Sequence, residues 1–171
     1  MNSYRSLTPE EFNKSPFKLI GKDWMLITAR DESKESGANA MTASWGGLGI
    51  LWNLPVATVY IRPQRYTFSL TEHEDEISLC FLGEQYRKAL GICGRASGRD
   101  CDKIREAGLT TAIVDKVPVV AESNVIMICR KLYADDLRED SFIDRDQLSH
   151  YDGDYHRFYI LEIKKILVRN N

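Results

Sequence analysis

Four short stretches of this 171-residue chain gather side chains of the kind that bind or react. The first is NAMTASWGGLGILWNLP, Asn39 to Pro55. Thr42, Ala43 and Ser44 are small for a buried strand, while Trp45 and Trp52 are large for a plain loop. Small side chains leave backbone N–H and C=O groups uncovered, and Gly46, Gly47 and Gly49 permit close approach or positive φ. With the tryptophans as a wall or stacking partner, the segment suits a flat ring that has a polar edge. The same residues also fit a glycine-rich bend packed under two core tryptophans.

The second stretch is Ile61-Arg-Pro-Gln-Arg-Tyr-Thr67, where Pro63 forces a turn. Arg62, Arg65, Tyr66 and Thr67 cluster there, and forked guanidinium donors suit a phosphate. Two surface arginines in weak ion pairs would read the same way. The third, Arg95-Ala-Ser-Gly-Arg-Asp100, leads into a helix and has Lys88 on the helix before it. Free N–H groups at a helix start favour an anion, and Ser97 and Gly98 would admit one closely. Ser and Asp also begin many helices as plain caps. The fourth is YDGDYHRFY, Tyr151 to Tyr159, with His156 inside it and His150 just before. His156 is a weak catalytic candidate, as acid/base or polar clamp, and a structural histidine is the alternative.

The elements that must position these groups are mostly strands. Runs rich in β-branched and aromatic residues cover Trp24–Ala29, Met41–Trp45, Pro55–Arg62, Ile77–Leu82, Thr111–Val114, Val117–Ala121 and Asn124–Tyr133. Phe17–Ile20 and Tyr66–Thr71 are expected to be strands too. Thr8-Pro-Glu-Glu11 predicts a short helix closed by a capping box and stopped before Pro16. Gly83 to Gly91 predicts a helix ended by Gly91, and Asp100 to Gly108 another, capped by Asp100 or Ser97. Arg157 to Arg169 fits helical spacing and strand composition alike. The count predicts a single, mainly β domain over 1–171, a barrel or sandwich with short helices.

Composition bounds the function classes. With 23 Lys and Arg against 25 Asp and Glu, the net charge is -2, which argues against a broad nucleic-acid face. The opening MNSYRSLTPEEF has no apolar run and no stretch is long enough for a bilayer, so a cytoplasmic protein is expected. The four cysteines have no metal-ligand spacing. Cys80 and Cys129 read as buried, and Cys93 and Cys101 as flanking a turn where they are exposed. Eight carboxylates against two arginines between Asp135 and Asp154 read as a solvated loop rather than a metal cage. No GxGxxG, GxxxxGK[ST] or Ser-His-acid grouping supports a nucleotide-triphosphatase or hydrolase.

Taken in order, NAMTASWGGLGILWNLP, VATVYIRPQRYT, LCFLGEQYRKAL, SGRDCDKIREAGL and DYHRFYILEI resemble the flavin reductase-like, FMN-binding split-barrel family, which includes flavoredoxin. The match runs from about Lys18 to Val168. The resemblance implies a Greek-key split barrel, a homodimer, noncovalent FMN near the subunit interface, and strand over Phe158–Val168. Thr42, Ala43, Ser44 and Trp45 then lie along the isoalloxazine, and Arg62, Arg65, Tyr66 and Thr67 form the phosphate turn. Lys88, Ser97 and Gly98 close over the phosphate and ribityl chain, and His156 lies near the dimer and cofactor region. Asn53-Leu-Pro55 departs from the family, which often has a proline pair or Lys-Pro there.

The activity so implied is an NAD(P)H-dependent flavin reductase that passes electrons from NADH or NADPH through FMN to a small-molecule or redox-protein acceptor. One alternative is a flavoredoxin-like electron-transfer protein reduced by a partner, with little NAD(P)H activity. A non-flavin homodimer with a glycine-rich interface is another.

Overall fold

The computed structural model describes residues 3–170. In chain order these form β1 (Tyr4–Leu7), α1 (Pro16–Lys18, continued by a π-turn over Leu19–Asp23), β2 (Met25–Arg30), β3 (Ala38–Ala43), β4 (Gly46–Leu51) and β5 (Leu54–Ile61). There follow α2 (Tyr66–His73), β6 (Glu76–Phe81), α3 (Arg87–Arg95), α4 (Lys103–Glu106), β7 (Thr111–Val114), β8 (Val117–Val120), β9 (Val125–Asp136) and β10 (Arg157–Arg169). The fold is thus mainly β with short helices.

One antiparallel path runs β3-β2-β6-β9-β10-β5-β4, with β1 added to β10 and β7–β8 a separate hairpin. β10 pairs along β9 from Arg157↔Asp136 to Val168↔Val125, with register shifts after Ile160 and Ile163. Such bulges bend a strand and increase its twist. β10 therefore reaches two further neighbours, β5 through Arg157–Glu162 and β1 through Ile166–Arg169. The end strands β3 and β4 are not paired with each other among the described residues, yet only Ser44 and Trp45 separate them in the chain.

The central strands are covered on both faces, which is why their sequences read as apolar runs instead of alternating ones. Met25, Ile27, Leu79, Phe81, Met127 and Tyr159 pack inside the curl of the sheet. Leu26, Cys80, Ile126 and Ile128 face the other way, under Leu90 and Cys93 of α3, Ile104 of α4 and Val117 and Val119 of β8. Successive residues along a strand point to opposite faces, so both clusters are fed by the same strands.

Several sequence expectations are corrected. The reciprocal bonds between Thr8 and Glu11 form, at 2.8 and 3.3 Å, but they close a turn and no helix follows. Phe17–Ile20 is helical, because Ser15 accepts from Lys18 N–H and Pro16 takes the first helical position. Tyr66–Thr71 is also helix: Thr67 and Thr71 are buried one turn apart, with Thr71 Oγ1 donating to Thr67 O at 2.9 Å. Tertiary burial there overrides the strand propensity of threonine. The helix at Gly83 runs as a 3-10 turn into α3 and passes through Gly91 to Arg95. The next is capped by Asp102, not Asp100 or Ser97, and Gly108 beyond it has φ +67°. Cys93 is buried in α3, and all four cysteines are free thiols. Arg157 to Arg169 is strand throughout.

Candidate functional site

A cleft of about 200 Å³ lies beside the end of β3. Thr42, Ala43, Ser44 and Trp45 bring the end of β3 to it, and Tyr60 and Arg62 the end of β5. Among the described residues β3 has a strand neighbour on its β2 side alone, so its outer edge carries backbone groups outside the ladder. Thr42 turns its hydroxyl away, Oγ1 donating to Leu90 O at 2.6 Å, which fixes β3 against α3. Gly46 is required where β4 crosses β5: a Cβ there would lie 2.6 Å from Thr58 O.

His156 closes the cleft from the start of β10. It is buried, its ring lies 5.2 Å from that of Trp45 and 6.4 Å from that of Tyr60, and Nδ1 is 3.0 Å from Tyr151 Oη. Burial, with the Arg62 charge adding to it, lowers its pKa to about 4, so the imidazole is neutral at pH 7. Arg62 is ion-paired with Asp154 and donates to His150 O at 2.8 Å. Those partners hold its guanidinium at the first cleft, while its carbonyl opens the proline turn by accepting from Arg65 N–H at 3.0 Å.

A second cleft, about 160 Å³, adjoins the first and shares Arg65 with it. Its other walls are Gln64 and Tyr66 after the proline turn, Arg95 to Gly98 after α3, and Lys103 from α4. Gly98 packs so tightly that a Cβ would sit 2.3 Å from Asn39 Oδ1 and 2.4 Å from Tyr66 Cδ1. Ser97 Oγ accepts from Arg99 N–H at 3.2 Å and so shapes the turn. Thr67 is buried behind this wall, accepting from Asn39 Nδ2 at 2.7 Å, and supports the cleft without lining it. Lys88 is exposed on α3 and lines neither cleft.

The charge balance of the second cleft is its main chemical feature. Arg65 Nη2 and Lys103 Nζ both donate to the carbonyl of Cys93, at 3.4 and 3.3 Å. Among the described residues neither meets a carboxylate. Lys103 is 2% exposed, and burial, reinforced by the Arg65 charge, lowers its pKa to about 8. Burial also lowers the pKa of Arg65. Two desolvated cations side by side are costly and call for a multivalent anion. Asn39 Oδ1, buried and without a hydrogen-bond partner, faces the same loop. The residues therefore fit a phosphorylated ring compound: a dianion in the second cleft, and a flat group along β3 in the first.

Lys103 was missed in the sequence reading. Its signal was a cation in the first turn of a capped helix, where the helix dipole opposes it unless an anion sits nearby.

Residues 18–171 match the family described as "Flavin reductase like domain". The chain belongs to that family. No curated protein matches it. Among solved structures, flavoredoxin from Methanosarcina acetivorans is 21% identical with a TM-score of 0.64, the match covering 84% of this chain and 67% of that one. An FMN-binding domain of a flavin reductases-like enzyme from Shewanella baltica is 14% identical with a TM-score of 0.69, covering 97% and 77%. The styrene monooxygenase flavin reductase of Pseudomonas putida S12 is 14% identical with a TM-score of 0.61, covering 84% and 77%. At such identities the likeness is one of fold. No helix among the described residues is long and apolar enough to cross a membrane.

Proposed function

We propose that the protein is an FMN-binding oxidoreductase of the flavin reductase type, taking a hydride from NADH or NADPH and passing electrons to an acceptor. The observation that carries this reading is the pair of cations, buried Lys103 and half-buried Arg65, that meet no carboxylate among the described residues and lie beside the cleft at the β3 edge. When bound, FMN supplies hydride acceptance and donation at its N5. The chain's own residues bind, orient and shield. Arg65 and Lys103 offset the phosphate, and Ser97 and Gly98 bring backbone close to it. The outer edge of Thr42–Ser44 reads the polar rim of the ring. Trp45, Tyr60 and His156 wall off water on the far side. Neutral His156, with Nδ1 engaged by Tyr151, leaves Nε2 for a hydrogen bond to a group resting on the ring.

Split-barrel closure and a homodimer are part of the same reading. Ile50, Leu51 and Trp52 lie exposed on the β4–β5 hairpin, at the open end of the sheet path, and offer an apolar surface to a second copy. Anaerobic titration of the flavin-loaded protein with NADH and with NADPH, followed in flavin absorbance, tests the activity. Bleaching by either supports a reductase. A yellow protein that neither bleaches is the flavoredoxin-like carrier, and a protein that takes up no FMN is neither.

A further inference from the structure

The segment that joins β9 to β10 carries an apolar groove of about 300 Å³ beside the ring-side cleft. Leu137, Phe142 and Phe158 line it, with Asp135, Asp136 and Arg138 at its rim. Two aromatic contacts tie it to the cleft. Phe158 lies 6.3 Å from Tyr60, a cleft wall, and Phe142 lies 5.8 Å from Tyr151, which contacts His156. Ile143, next to Phe142, is fully exposed.

The segment that carries this groove is net acidic, with eight carboxylates against two arginines. Of the eight carboxylates between Asp135 and Asp154, four are paired with arginines: Asp135, Asp136, Glu139 and Asp154. Asp140, Asp144, Asp146 and Asp152 meet no cation among the described residues. The charged groups at the groove's own rim are paired, while Asp140 and Asp144 flank its lining residues Ser141 and Phe142 in the chain and Asp146 and Asp152 follow in the same segment. An apolar centre on a segment of net negative charge is the arrangement of an electrostatically steered protein interface. A second copy laid on the same surface would set these carboxylates against their own equivalents, which is unfavourable.

The geometry points to this groove as the docking surface for a lysine- and arginine-rich redox protein that presents an apolar side chain to Phe142 and Phe158. The proposal rests on the flavin reading and names its acceptor class. Bound FMN would supply two electrons per turnover, its protons passing to water. Two one-electron carriers, docking in turn, take one electron each.

The test uses a lysine-rich cytochrome c as probe and an acidic ferredoxin as control, with binding measured by calorimetry at low and at physiological ionic strength. The parent protein is expected to bind the cytochrome more tightly at low salt and to ignore the ferredoxin. The triple variant Asp140→Asn, Asp146→Asn, Asp152→Asn should weaken cytochrome binding ~10-fold or more, and Ile143→Ser several-fold. FMN affinity and bleaching by NADH or NADPH should be unchanged in both. Cytochrome binding that is insensitive to salt or to the triple variant overturns the proposal. So does a fall in oligomeric state on Ile143→Asp, which would assign the groove to a second copy. Docking is measured on both flavin-free and flavin-loaded protein. If FMN fails to bind while the cytochrome still docks, the cofactor reading falls and the surface stands.

Discussion

Lys103 turns the proposed phosphate site into a test that separates binding from stability. Its pKa falls from 10.5 to about 8, which corresponds to roughly 3 kcal/mol of destabilisation of the charged form by folding. The sign follows from proton binding. Between about pH 8 and 10.5 the unfolded chain holds this proton and the folded chain does not, so the contribution to stability improves as pH rises through that window. At pH 7 the flavin-free protein carries the full cost. Lys103→Met keeps the stem and removes the charge, so the flavin-free variant should be more stable by about 1–3 kcal/mol, a rise in Tm of several degrees for a chain of this size. The same change should weaken FMN binding by roughly 2 kcal/mol, about 30-fold, because a charge-assisted contact to the phosphate is lost. In the parent, binding a dianion should raise the lysine pKa, so FMN affinity should decline above about pH 8. Thermal melts with and without FMN, and calorimetric titrations at several pH values, read all three quantities. A flavin-free variant less stable than the parent, together with unchanged FMN affinity, would refute the reasoning.

The remaining predictions use the neighbouring groups. Arg65→Ala should weaken FMN binding by ~1–3 kcal/mol, and unchanged affinity in a flavin titration removes it from the site. Gly98→Ala puts a Cβ 2.3 Å from Asn39 Oδ1, so chemical denaturation should show a loss of ~1–3 kcal/mol and the holo protein should lose flavin. His156 is buried as the neutral form, so it should drain stability as pH falls from 6.5 towards 4 and not above that range. His156→Leu should flatten this limb of the stability–pH curve, and an unchanged limb would mean that other groups cause it.

What could be seen in the sequence depended on how locally each feature is determined. Val56–Arg62 and Asn124–Tyr133 announced strands because β-branched side chains, buried on one or both faces, carry their own signal. Thr42–Trp45 stood out because small residues beside tryptophans are unusual in either strand or loop. Tyr66–Thr71 was unreadable because the choice between strand and helix is made by Asn39 and by burial of Thr67, contacts supplied from 28 residues away. β4 was hidden by its glycines, which carry little strand signal of their own and are held by pairing with β5. The two clefts share Arg65, which lines the second together with Ser97 and Gly98. The sequence could not show that Asp154 pairs with Arg62, or that α4 turns Lys103 inward to the same carbonyl as Arg65. The acidic segment looked like solvated loop, and its Tyr151 and Asp154 in fact brace the cleft.

The two-residue link between β3 and β4 sets how this architecture can vary. A single insertion at Ser44 or Trp45 would shift one strand by a position and turn its side chains to the opposite face. The opposite wall hangs from a long surface segment, where added length costs little. The segment between β9 and β10 can therefore be lengthened, shortened or recharged while the end of β3 and the fold around it stay as they are.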